Sequence, residues 1–335
     1  MILDKILQTF KIYFILLSSF FIISCNNMSS FSIIGTTMGT TYEVKINSVD
    51  FVDAHELKEK IDSYLLDINM IFSTYIDSSE ISIINKSLDD KILISNEFND
   101  VILESLYWAN ISNGLYDPTV YPLVDLWGFA GNKKNNPPND EIIQNILKNI
   151  SYRKISLDNN ILFKQKNTHI DLSSLAKGYA VDSIALMLLN EGFNDFMIDI
   201  GGELLSSGNN DNKDWIIGIA HPNESGLFLK TIINDFSIAT SGTYNNYTIY
   251  NGQEYSHIIN PITGYPINNS VVSATVLSES CMVSDAIATM LMVLPYQKGI
   301  DIINNIENTE CMILINEENT IISIESDNFK ENVVN

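Results

Sequence analysis

The residues with the most chemical potential fall into a few short segments. His257 stands in Ser256-His257-Ile258-Ile259-Asn260-Pro261, between a strand-like run and a Pro/Gly turn. That position holds a side chain on a fixed scaffold, and an imidazole titrating near neutrality can serve as a general base. Asp285 and Thr289 lie at i and i+4, so a helix would place both on one face. A carboxylate and a hydroxyl so placed offer two oxygens to a hard cation such as Mg2+. The same pair could sit on a wet helix face. However, Ala286, Ile287, Ala288, Met290 and Leu291 surround it, so these oxygens are expected to be buried and in need of a partner.

Other segments combine Gly, Ser, Thr and Asp. Asp171-Leu172-Ser173-Ser174-Leu175-Ala176-Lys177-Gly178-Tyr179 opens a helix, and a helix opening suits a phosphate. Alone, the segment reads equally as a helix whose N-cap is Asp171 or Ser173. Gly201-Gly202-Glu203 follows a strand and allows close backbone approach to a ligand, or simply a tight turn. It lacks the spacing of a dinucleotide-binding fingerprint. Thr240-Ser241-Gly242 supplies hydroxyls at the end of an apolar strand, and Gly114 to Thr119 links a helix to the apolar Leu123 to Phe129.

The elements that must position these groups follow from periodicity. Leu57, Ile61, Leu65, Ile68 and Phe72 recur every three or four residues and predict an amphipathic helix over Asp53 to Phe72. Further helices are expected over Glu97 to Ser112, Glu141 to Lys148, Ser174 to Asn190 and Cys281 to Leu294, and a short one capped near Ser79. Ser32 to Ile46 alternates as a strand or a hairpin, with bends at Gly35 and Gly39. From Asp195 onward the pattern becomes short β-rich runs: Asp195 to Ile200, Trp215 to Ala220, Leu227 to Ile233, Tyr244 to Tyr250, Val271 to Leu277, Cys311 to Ile315 and Thr320 to Ile324. The class is α+β, helices packed on mostly antiparallel sheets, with no internal repeat and no forced domain split.

Composition bounds the partners. Over 335 residues, 19 Lys+Arg against 41 Asp+Glu give a net charge of −22, which opposes nonspecific binding to nucleic acid. With 4 histidines a His-rich metal site is excluded, and 3 cysteines cannot form a disulfide scaffold. Cys281 and Cys311 lie in apolar stretches and are expected as buried free thiols. The apolar run Ile12 to Ile23, preceded by Lys5 and Lys11, is short for a membrane span and fits a secretory signal peptide. Ile22-Ile23-Ser24-Cys25 reads as a lipobox, with Cys25 carrying the lipid. The expected organisation is a signal peptide over 1–24, a lipidated tether over 25–30 and one domain over 31–335, held at an envelope membrane without a spanning helix.

In order, Gly35-Thr36-Thr37-Met38-Gly39-Thr40, Phe72-Ser73-Thr74-Tyr75, Tyr116-Asp117-Pro118-Thr119, Ala176-Lys177-Gly178-Tyr179-Ala180-Val181-Asp182, Gly201-Gly202-Glu203, Thr240-Ser241-Gly242, His257 to Pro266 and Asp285 to Thr289 strongly resemble the ApbE family of FAD:protein FMN transferases. The resemblance spans essentially the whole chain after the leader. It implies a single T-fold-related α+β domain and an exported lipoprotein, on the periplasmic side or the outer cell surface. It also implies a Mg2+-dependent reaction that splits FAD, attaches FMN to a Thr or Ser hydroxyl of an acceptor flavoprotein and releases AMP. Flavin-bearing subunits of membrane redox pumps are the implied acceptors. By matching positions, Asp285 and Thr289 would ligate the metal by side chain and Ala176 by its carbonyl. Met38, Tyr75, Leu115, Tyr116, Asp117, Ser173, Tyr179 and Ile259 would hold FAD, with Gly201, Gly202 and Thr240 shaping the pocket. His257 would take the acceptor's proton. Departures are Asn260 and Thr243 where the family commonly has Asp, Tyr121 where Gly is common, and Ser284 where Ala is common. Two competing readings use the same residues: a pyrophosphatase that hydrolyses FAD to FMN and AMP, and a non-catalytic flavin-binding lipoprotein.

Overall fold

The computed structural model describes residues 29–48, 52–131, 134–244 and 246–334. The leader and Cys25 lie outside them. The chain opens with a hairpin, β1 (Ser29–Thr37) and β2 (Thr40–Ser48), followed by α1 (Ala54–Phe72) and α2 (Glu80–Lys86). Then come β3 (Lys91–Leu93), α3 (Asn96–Ile111), α4 (Tyr121–Leu126), α5 (Asp140–Leu147), β4 (Ile155–Asp158) and β5 (Ile161–Lys164). The long helix α6 (Ser173–Asn190) leads into β6 (Asp195–Ile200), β7 (Glu203–Ser207), β8 (Ile216–Ala220), β9 (Leu227–Ile232), β10 (Ser237–Gly242), β11 (Tyr247–Tyr250), β12 (Gln253–Ser256) and β13 (Val271–Ser278). The chain closes with α7 (Cys281–Val293), α8 (Tyr296–Ile303), β14 (Glu310–Glu317), β15 (Thr320–Glu325) and β16 (Val333–Val334).

One eight-stranded sheet, ordered β1-β2-β6-β7-β10-β13-β14-β15, forms the frame. Its neighbouring strands pair antiparallel. The two faces are set by the period of two along a strand. On β14, Cys311, Ile313 and Ile315 enter the core beneath the helices, whereas Met312 and Leu314 point into a second cluster with Trp215, Ile238, Leu277 and Phe329. Helices α6 and α7 lie side by side on the first face, α6 against β6 and β7, α7 against β10 and β13. The small sheet β16-β9-β8 supplies the second cluster on the other face. A third apolar cluster, around Leu123, Trp127, Ile143, Tyr250 and Ile259, ties α4 and α5 to the segment bearing His257.

Local chemistry explains the boundaries. Asp53 caps α1 by accepting from the amides of His55 and Glu56 at 3.0 and 3.2 Å, and Ser79 caps α2 through the amide of Ser82. Two expectations change. Helix α6 is not capped by the Asp171 or Ser173 side chain; its N-cap is Leu172, and Asp171 instead accepts from the Ser173 amide at 2.8 Å in the turn before it. Gly35 is not a bend but lies within β1, opposite Tyr42. A Cβ there would meet the Tyr42 ring at 2.4 Å, so glycine is needed to let the ring cross the strand. The actual bend is the two-residue turn Met38-Gly39, with φ of 49° and 74°, the geometry that matches strand twist in tight hairpins. Cys281 and Cys311 are buried and free. Among the described residues no helix is long and apolar enough to cross a membrane.

Candidate active site

A cleft of about 450 Å3 opens where the ends of β1, β10 and β12, the first turns of α6 and one face of α7 meet. Of the residues singled out in the sequence, Met38, Tyr75, Leu115, Tyr116, Asp117, Ser173, Gly201, Thr240, His257, Ile259, Asp285 and Thr289 line it. Tyr179, Gly202 and Ala176 do not. Tyr179 packs edge-on against Phe72 with ring centroids 5.5 Å apart. The Gly202 amide donates to Asp199 at 2.8 Å, and Ala176 is buried in the first turn of α6.

Each wall has a structural reason. Met38 takes a left-handed backbone, which costs a non-glycine residue about 1–3 kcal/mol and is typical of functional turns. Tyr75 is an exposed ring at the rim whose hydroxyl donates to the Phe129 carbonyl at 3.1 Å. Asp117 turns its own carboxylate inward: it accepts from the amide and hydroxyl of Thr119 at 2.8 and 2.6 Å and from the Tyr152 amide at 2.8 Å. Asp117 therefore fixes the loop that presents Leu115 and Tyr116. The Tyr116 hydroxyl lies 2.8 Å from the Ser174 hydroxyl, and burial holds its pKa far above the usual tyrosine value.

His257 is half-buried, with Phe129 edge-on at 6.3 Å. Its Nδ1 lies 2.9 Å from the Asn246 carbonyl oxygen, which can only accept, so Nδ1 carries the proton and Nε2 keeps its lone pair. Burial lowers the His257 pKa, a shift only partly opposed by that hydrogen bond. The ring is therefore neutral at pH 7, with its basic nitrogen free.

On α7, Asp285 and Thr289 both face the cleft. The Thr289 hydroxyl lies 3.1 Å from that of Ser241, and Asp285 accepts from the Gly178 amide at 3.1 Å. That contact requires α6 and α7 to approach closely. A Cβ on Gly178 would sit 2.3 Å from the Cys281 carbonyl oxygen. Between the helices lies a charged group whose pairing the sequence does not reveal: Lys177 forms a close ion pair with Glu203, and both face Asp285 across the cleft. Burial pushes the Glu203 and Asp285 carboxyls up. Burial alone would push the Lys177 ammonium down, but Asp285 and Glu203 more than offset it and hold it up at about 12. Glu203 Oε2 is buried and has no hydrogen-bond partner.

Among the described residues no three His, Cys, Asp or Glu side chains gather as a metal site. The donors present are hard oxygens, those of Asp285 and Thr289, with a partnerless carboxylate oxygen on Glu203 nearby. This set suits a cation that keeps few protein ligands and shares a phosphate ligand, as Mg2+ does. The departures noted in the sequence are absorbed locally. Asn260 Oδ1 accepts from the amides of Ile262 and Thr263, as a carboxylate would. The Thr243 amide extends the ladder to the Val272 carbonyl. Ser284 is buried and bonded to Ser237 and Ser278 at 2.8 Å each.

Helices backed onto one antiparallel sheet, with the cleft at their meeting edge, make this an α+β protein. The ApbE family model matches residues 38–313, and the chain belongs to that family. It is 39% identical over 272 residues to the FAD:protein FMN transferase of Vibrio cholerae, covering 79% of this chain and 81% of that protein. It is 34% identical over 317 residues to that of Haemophilus influenzae, with 90% of each chain covered. The solved flavin transferase ApbE from Vibrio cholerae superposes with a TM-score of 0.84 at 33% identity, over 91% of this chain and 99% of that one. The apo flavinyl transferase ApbE of Pseudomonas stutzeri gives 0.83 at 27% identity, over 91% of this chain and 96% of that one.

Proposed function

We propose that this chain is a Mg2+-dependent FAD:protein FMN transferase. The observation that carries the reading is the convergence, in one cleft, of a neutral histidine with a free Nε2 and the Asp285–Thr289 oxygens from a distant helix. Family membership and the names of its relatives support it. FAD would lie in the cleft, held by residues that include Met38, Tyr75, Leu115 and Tyr116. Mg2+ would be held by Asp285 and Thr289, and when bound it would neutralise charge on the diphosphate.

Phosphoryl-type transfer needs positioning and charge neutralisation more than covalent chemistry by the protein. The chain's own share is as follows. His257 Nε2 takes the proton of an acceptor Thr or Ser hydroxyl. That oxygen bonds to the phosphorus of the FMN half, and the bridging oxygen leaves with AMP. The Asn246 carbonyl keeps the imidazole in the tautomer this requires. The apolar surroundings of Ile259 and Phe129 limit water that would compete for the same phosphorus. The acceptor is an exported flavoprotein, such as a flavin-bearing subunit of a membrane redox pump. Export and lipid attachment through Cys25 place the enzyme on the same side of the envelope.

Incubation with FAD, Mg2+ and an acceptor fragment tests the reading. A covalent, fluorescent flavin band supports it. Free FMN with an unmodified acceptor would instead indicate a pyrophosphatase, and untouched FAD a binding protein.

A further inference from the structure

The cleft poses an electrostatic problem. Its lining carries the acids Asp117, Asp171, Glu203 and Asp285, and among the described residues Lys177 is the one lysine or arginine that lines it. The chain as a whole is also strongly acidic, at −22. A diphosphate entering such a cleft comes close to Glu203 and Asp285, acidic groups that oppose its charge. Lys177 sits in the first turns of α6, where the helix N-terminus already favours an anion. Its side chain is 30% exposed towards the cleft, whereas its partner Glu203 is 4% exposed. Glu203 thus anchors the ammonium from behind, through one oxygen. Its other oxygen, Oε2, is buried without a hydrogen-bond partner.

A half-buried lysine beside two carboxylates serves packing alone poorly, since an apolar side chain of similar size fills the same space. Structural pairing would also leave the ammonium enclosed and all acceptors satisfied. Here the ammonium reaches the cleft and one acceptor is left open.

We propose that Lys177, held in position by Glu203, binds the phosphate-bearing part of FAD and makes the cleft prefer phosphorylated flavin over the bare flavin. This rests on the reading of the cleft as an FAD site. Lys177 supplies the charge that the fold itself owns; it acts with or without a bound cation. Glu203 is a positioning residue that acts through Lys177.

The test is equilibrium binding of FAD and of riboflavin, which lacks phosphate, to the native protein and to variants, in EDTA and again with Mg2+. Native protein should bind FAD more tightly than riboflavin even in EDTA. Lys177→Met should weaken FAD binding in EDTA by about ten- to hundredfold, the scale of a charge-assisted hydrogen bond, with riboflavin affinity unchanged. Lys177→Arg should keep most of the preference. Because Lys177→Met strands the Glu203 carboxylate, the double variant Lys177→Met, Glu203→Gln removes both charges. It should fold, bind riboflavin normally and show the same loss for FAD. Equal FAD affinity in native protein and double variant would overturn the proposal while leaving the FAD site intact. A parallel loss of riboflavin affinity would mean that the pair only supports packing. Failure of the native protein to bind FAD in any condition would overturn the function reading itself.

Discussion

Two aspartates, Asp285 buried and Asp182 half-buried, face each other's helices across the α6–α7 interface, and they are finished differently. Asp182, on α6, accepts from the Ser280 hydroxyl at 2.7 Å and from the amides of Cys281 and Met282 at 2.7 and 3.0 Å. It caps the start of α7 from the side, and its acceptor capacity is spent inside the protein. Asp285, on α7, has one backbone donor at 3.1 Å and a lysine shared with Glu203. Burial pushes both carboxyls up. The same residue type in the same interface thus spends its oxygens on the neighbouring helix at Asp182 and leaves them open to the cleft at Asp285. Burial and a shifted pKa do not separate the two; the donor inventory does.

Substitutions can break that contrast. The largest effect is expected from Asp285→Asn. Transfer should fall by about 10²–10³-fold, the scale of losing metal-based charge stabilisation. The unfolding midpoint in urea should not drop, because an amide keeps the Gly178 contact and removes a buried charge. If Asp285→Asn unfolds the protein instead, the two aspartates play the same role. Next comes Asp182→Ala, which orphans a hydroxyl and two amides at the start of α7 and should cost about 3 kcal/mol of stability in urea unfolding. Protein that remains folded should still bind FAD.

A smaller loss, about 1–3 kcal/mol, is expected for Gly178→Ala, since the new methyl group collides with the Cys281 carbonyl and forces α6 and α7 apart. It should weaken both sites at once, measured as reduced stability together with reduced transfer. An unchanged protein would show that the helix spacing is not what sets the Asp285 contact. The smallest effect is in pH. His257 is held below its ordinary value of 6.5 by burial. Its imidazolium cannot accept a proton, so the transfer rate should rise with pH around a midpoint below 6.5 and then level off, and the profile should lose this limb in His257→Ala.

Much of the frame was legible in the sequence because its periods are clean. The apolar spacing of α1 and its Asp53 cap, and β6 over Asp195–Ile200, follow from local chemistry alone. The three-stranded sheet β3-β5-β4 was not legible, because strands of three or four residues carry too few alternations. Helix α8 lacked a cap signal beyond Pro295. In the site, His257, Asp285 and Thr289 stood out by residue type and setting. The Lys177–Glu203 pair did not, because pairing residues from a helix and a strand is a tertiary fact. One trace was present: Lys177 interrupts a helix whose surrounding Leu175, Ala176, Ala180 and Val181 are apolar, and a charge in an all-round apolar helix needs a buried partner.

The central claim is that His257 and the Asp285–Thr289 oxygens act on one FAD to move FMN onto a protein hydroxyl. Intact-mass spectrometry of an acceptor fragment incubated with this chain, FAD and Mg2+ tests it most directly. The account predicts a mass gain of one FMN less water on a single Thr or Ser, slowed about 10²–10⁴-fold in His257→Ala. An acceptor of unchanged mass, with FAD consumed to free FMN or not consumed at all, would contradict it.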